Sequence, residues 1–255
     1  MEELNAILQI PERCLVNRKL TKAFFKRNFD LTSAERALLD DPALVSGMDI
    51  VASITPASCN VSVYKDDLSD FTEVLIISVQ TTEVDFERNQ LKIAELIQKH
   101  IPYPILLCVY HATTFTLSAA DKRINQNDST RRIVDKTYFS ETISQQQPTE
   151  QQQVFLDSLA FALLDKTNLK TFYESYIQLL VSLKAAELSG VFTIRTQSRT
   201  QDDIAALARI EALQKEISGL QNQVRKETQL KEKVKLNMQV KNLESQVQEL
   251  LTNLI

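Results

Sequence analysis

The strongest constraint on this chain is an apolar seam near its C-terminal end. Residues 203–255 contain no proline and one glycine, Gly219. Ile210, Leu213, Ile217, Leu220 and Val224 recur at spacings of three and four, and Leu236, Val240, Leu243, Val247, Leu250 and Leu254 do so again. Such spacing puts each set on one face of a helix, and a strip that narrow stays wet until another helix lies against it. The pattern predicts one long helix over 203–255, a coiled-coil arm whose partner-binding residues are these two sets. Continuing the first phase puts Glu227 and Lys231 on the seam, and the second set is displaced by two residues. A change of partner, a bend and a register-setting polar pair all fit that break. A homo-oligomer, a heteromeric protein partner and a fold back onto the chain's own domain also remain open.

At 255 residues the chain has room for one ordinary domain and an extension. A hydrophobic share of 44% and a charged share of 24% suit a globular protein in water. Three dispersed glycines carry no P-loop and no dinucleotide fingerprint. With a net charge of −4, contact with nucleic acid has to rest on local patches. Two patches stand out. Residues 13–27 mix cations with Phe24 and Phe25, and Arg18, Lys22 and Lys26 are their candidate phosphate contacts. Arg225, Lys226, Lys231, Lys233 and Lys235 form the second. The ordinary reading of both is that the charges solvate helix surfaces and the aromatics are core.

Cys14, Cys59 and Cys108 are far apart and lack metal-ligand spacing, so small buried side chains in a reducing compartment are expected. No metal or cofactor site is assigned. The start, MEELNAILQIPE, is acidic and unlike a secretory signal. No apolar run approaches the ~20 residues of a membrane span. A cytoplasmic location without membrane contact is expected.

Along the chain, residues 13–39 read as two short helices, the second opened by the capping box Thr32-Ser-Ala-Glu35. A short strand is expected at 60–64 and an inner strand at 73–80, apolar on both faces at its centre. A helix follows over 85–99, with Phe86, Ile93, Leu96 and Ile97 as its buried stripe. Strands come next at 105–110 and 114–119, joined near Ala112. Residues 121–143 look charged and turn-rich, with one more strand at 137–139, and the Gln-rich stretch 144–153 reads as a loop. A helical pair over 154–188 and a linker at 191–202 precede the arm. The fold class is therefore α/β (α+β): a globular domain over 1–190 with a small mixed sheet and flanking helices, and an arm over 203–255.

Little chemistry is visible. His100 ends a helix, where a cation suits the helix dipole, and His111 ends a strand. No catalytic residue is assigned. A strand–helix–strand core beside Asp66, Asp67, Asp70 and Glu73 invites comparison with restriction-type nucleases, which hold a divalent cation on carboxylates. The central strand has Ser78 and Gln80 where such enzymes carry an acid and a lysine. Glu83, Asp85 and Glu87 read as helix-start acids.

Several blocks in order resemble a bacterial family, domain of unknown function 4391. They are Cys14-Leu-Val-Asn-Arg-Lys-Leu, Leu31-Thr-Ser-Ala-Glu, Ile54-Thr-Pro-Ala-Ser-Cys-Asn-Val, Ile101-Pro-Tyr-Pro-Ile-Leu-Leu, Asp121-Lys-Arg-Ile-Asn-Gln and Lys226-Glu-Thr-Gln-Leu-Lys-Glu-Lys-Val-Lys-Leu-Asn237. The resemblance implies no stated activity. It does imply genomic company with helicase-like ATPases and DNA methyltransferases in defence or restriction-type clusters. The expectation is a non-catalytic accessory subunit of an anti-phage complex, assembled through the arm. A divergent metal-dependent nuclease using Asp70 and Glu73, and a nucleic-acid-binding adaptor, are the alternatives.

Overall fold

The computed structural model describes residues 2–82 and 86–254. Glu83, Asp85 and Ile255, and the side chains of Phe86 and Glu87, lie outside the described set. The chain forms two compact units, Met1–Leu180 and Val181–Ile255.

The first unit is built on a mixed sheet. In chain order its strands are β1 (Leu15–Lys19), β2 (Gly47–Ile54), β3 (Tyr64–Lys65), β4 (Asp70–Phe71), β5 (Val74–Gln80), β6 (Ile105–His111), β7 (Thr114–Asn125), β8 (Asp128–Phe139) and β9 (Ile143–Ser144). The main sheet runs β1-β2-β5-β6-β7-β8, with β9 added to β7, while β3 and β4 make a separate two-stranded ladder. Its helices are α1 (Glu2–Leu8), α2 (Lys22–Asn28), α3 (Ser33–Asp40), α4 (Pro56–Cys59), α5 (Phe86–His100), α6 (Glu150–Ser158) and the first part of α7 (Leu169–Ser189). Among the described residues only β5 and β6 pair in parallel, Leu75 opposite Ile105, because α5 carries the chain over the sheet between them.

Covering both faces is what lets β5 be apolar throughout. Its residues from Val74 to Val79 are all buried. Leu75, Ile77 and Val79 point to one side, where Ile93, Leu96 and Ile97 of α5 pack with Phe25 and Leu39 from α2 and α3. The alternate residues Val74, Ile76 and Ser78 face the other layer. There the buried Tyr173 hydroxyl accepts from the Ala120 amide at 2.7 Å and lies 3.0 Å from the Ala120 carbonyl oxygen. The capping box is present: Thr32 Oγ1 accepts from the Glu35 amide and Glu35 Oε2 from the Thr32 amide.

Several local expectations are corrected. Residues 15–19 form edge strand β1 rather than a helix, since Asn17 at φ 47° makes a bulge that breaks the strand alternation. Residues 47–54 are a strand, and of the strand expected at 60–64 only Tyr64 pairs, because Thr55, Pro56 and Asn60 close a short helix first. The charged stretch 121–143 is mostly the β7–β8 hairpin, whose half-exposed strands tolerate charge. The Gln-rich loop is shorter than expected, because Thr149 caps α6.

In the second unit, the end of α7 is followed by α8 (Gln197–Lys226) and α9 (Leu230–Asn253). The expected single helix is two. The backbone leaves helical geometry at Glu227, and its Oε1 accepts from the Thr228 and Gln229 amides at 2.8 Å each. The reversal falls inside the polar gap between the two apolar sets and folds α9 back against α8.

Candidate functional site

The apolar seam was expected to need another helix, from this chain or a different one, and the structure supplies it from the same chain. Reversal turns the two out-of-phase sets toward each other. Ile210, Leu213, Val240 and Leu254 are buried, while Ile217, Leu220, Val224, Leu236, Leu243, Val247 and Leu250 are only partly so. The reason is geometric, since two helices cover each other along one line and a third is needed to seal the sides. At the foot of the arm Ala185, from the end of α7, packs with Ile210 and Leu254.

A charge cluster fastens that foot. Asp203 is 1% exposed, with Arg195 at 3.4 Å and Arg199 at 3.2 Å. Burial raises the Asp203 pKa, against the pull of both arginines. The same guanidiniums donate to the last carbonyls of α9: Arg195 to Leu254 at 2.6 Å, and Arg199 to Asn253. Cations at a helix C-terminus satisfy its free carbonyls and its dipole. The apolar periodicity gave no sign of this clamp.

Toward the turn the surface changes. Leu230, Val234 and Met238 are 77%, 51% and 69% exposed. Their spacing of four puts them on one face of α9, opposite the seam. Among them stand Lys231, Lys233 and Lys235, with Arg225 and Lys226 at the end of α8, all exposed. Glu227 and Glu232 are the acids of that stretch, and Lys235 reaches Glu232 at 3.8 Å.

The first basic patch divides. Lys26 pairs with Asp40 at 2.6 Å. Burial lowers the Lys22 pKa, while Asp40 and Asp41 oppose that shift. Arg18 stays exposed on β1. Of the three candidate contacts of this patch, Lys26 is thus engaged by an acid while Arg18 stays open.

The other chemical candidates serve the fold. Asp66 accepts from the Leu68 and Ser69 amides and from the Tyr64 hydroxyl. Asp70 is held by Arg132 at 3.2 Å and Lys65 at 3.3 Å, and Glu73 accepts from Ser53 Oγ. Ser78 is buried and Gln80 exposed. His100 Nε2 lies 3.1 Å from Glu35 Oε1, and His111 Nδ1 lies 3.1 Å from the Thr81 carbonyl oxygen. The cysteines are free and buried, and burial pushes Cys108 up to about 12. Among the described residues no group of three His, Cys, Asp or Glu side chains is placed to hold a metal ion. No helix among them is long and apolar enough to cross a membrane.

Fold and surface define a mixed α/β domain that carries a helical hairpin. The chain belongs to the family described as Domain of unknown function (DUF4391), whose model matches residues 8–247. No curated protein and no solved structure matches it.

Proposed function

We propose that this protein is a non-catalytic interaction subunit of a prokaryotic anti-phage defence or restriction-type complex, and that it docks a protein partner on the distal part of the α8–α9 hairpin. The observation that carries the reading is the outward stripe Leu230, Val234 and Met238 set among lysines. Three large apolar side chains in line on a solvent face are costly unless something covers them. A helix with apolar anchors and acidic flanks fits the stripe. A second copy of this chain fits it poorly, because two basic tips repel. The genomic company implied by the family resemblance makes a helicase-like ATPase or a DNA methyltransferase the partner to seek.

The test is affinity purification of the tagged chain from its native cells, beside a variant carrying Leu230→Asp, Val234→Asp and Met238→Asp. Recovery of such an ATPase or methyltransferase with the parent chain alone supports the proposal. Recovery of neither, or of equal amounts with both, counts against it.

A further inference from the structure

A second surface, on the first unit, suits a different ligand. A cleft of about 590 Å³ lies beside β1, α2 and the 101–104 connection, and a neighbouring cleft of about 420 Å³ shares Phe29 and Pro102 with it. Arg18, Lys19 and Arg27 line the larger cleft, and Lys99, Arg131 and Arg132 the smaller, against the acids Glu73 and Asp30. The two sets of cations differ. Lys99 is engaged by Glu35, Arg131 by Asp128 and Arg132 by Asp70. Arg18, Lys19 and Arg27 are exposed and form no ion pair among the described residues. Three open cations against the one acid Glu73 leave an excess of positive charge around the concavity, which concentrates the field where an anion would sit.

Aromatic surface lies in the same cleft. Phe24 is 37% exposed and Tyr103 is 41% exposed. Phe24 is held edge-on against Phe25 at 5.9 Å and Phe29 at 5.8 Å, so it is a fixed shelf rather than a loose side chain. Open guanidiniums beside open aromatic rings match a ligand that offers phosphates and flat apolar rings together. Unpaired nucleotides do so, whereas a duplex keeps its base faces stacked inside. An acidic peptide would satisfy the cations and leave the rings bare.

We infer that this cleft binds single-stranded nucleic acid, with phosphates on Arg18, Lys19 and Arg27 and bases stacked on Phe24 and Tyr103. The inference is independent of the arm and of the partner proposed for it.

The experiment is fluorescence anisotropy of the full chain with a labelled oligothymidylate, using duplex DNA and polyglutamate as competitors across a salt series. The single strand is expected to bind in a salt-sensitive way and to be displaced poorly by either competitor. Combined Arg18→Ala, Lys19→Ala and Arg27→Ala should flatten the log–log salt slope by about 2, at roughly 0.7 per lost contact. Tyr103→Ala should weaken binding roughly tenfold while Tyr103→Phe keeps it. Combined Lys231→Ala, Lys233→Ala and Lys235→Ala should leave it unchanged. Absence of single-strand binding, effective displacement by duplex or by polyglutamate, or binding that survives the cleft substitutions would each overturn the inference.

Discussion

The two units bury apolar surface by different means. In the first, helices cover both faces of the sheet, and the centre of β5 is buried on either side. In the second, two long helices share one seam, most of which is only partly covered. A sheet between layers is finished by its own chain, whereas a two-helix arm keeps open flanks. Stability should therefore concentrate in the first unit and capacity for partners in the second.

The largest expected effect lies at the closed centre. Ile77→Ala leaves a cavity among side chains that have no room to collapse, and should cost about 2–5 kcal/mol in chemical denaturation. A loss below about 1 kcal/mol would mean that the sheet's centre is as yielding as the arm.

The arm tests the other half of the contrast. Ile217→Asp places a carboxylate on a seam that is already half wet. It should cost about 1–3 kcal/mol, less than the same change in a sealed core. Hydrogen exchange read by mass spectrometry should quicken along α8 and α9 and stay unchanged in β5 and β6. Equal quickening in both places would show that the units do not unfold separately.

The smallest effect belongs to the surface of the first unit. Burial alone would raise the Glu35 pKa, but bonds from Lys99, the Thr32 amide and His100 outweigh it and bring the group from 4.5 to about 2. The folded value lies below the unfolded one, so the contribution is fully present above the ordinary carboxylate range and is lost as pH falls toward about 2. Glu35→Gln keeps the cap geometry and should cost under about 1 kcal/mol at neutral pH. An acid titration followed by circular dichroism should show the parent losing stability below pH 4.5 more steeply than the variant. Parallel acid limbs would remove Glu35 from the account.

Legibility in the sequence followed burial. Strands β5 and β6, the α5 stripe at Ile93, Leu96 and Ile97 and the Thr32–Glu35 box could be read directly, because each signal arises from adjacent residues meeting one environment. Strand β1 could not, and of β8 only its end at 137–139 was read. In β1 Asn17 adopts a left-handed conformation and breaks the alternation, and β8 is an edge strand bearing Arg131, Arg132, Asp135 and Lys136. The seam residues were legible, and so was the break in phase. Reversal at that break was not, because Glu227, Thr228 and Gln229 include neither glycine nor proline and the turn rests on one side-chain carboxylate. Of the candidate contacts Arg18, Lys22 and Lys26 only Arg18 lines the cleft; Lys19 and Arg27 from the same basic stretch take the other places, because the turn from β1 into α2 decides which cations face it.

The arginine clamp at the foot of the arm has a mechanical consequence. Arg195 and Arg199 tie the start of α8 to the end of α9, while at the far end the Glu227 carboxylate holds only the amides of its own turn, Thr228 and Gln229. Such a hairpin works like a clothes-peg, pinned at one end, with its jaws spreading farther with distance from the pin. Fraying that starts at the tip can therefore run along the seam while the foot stays shut, so the arm can loosen without coming apart.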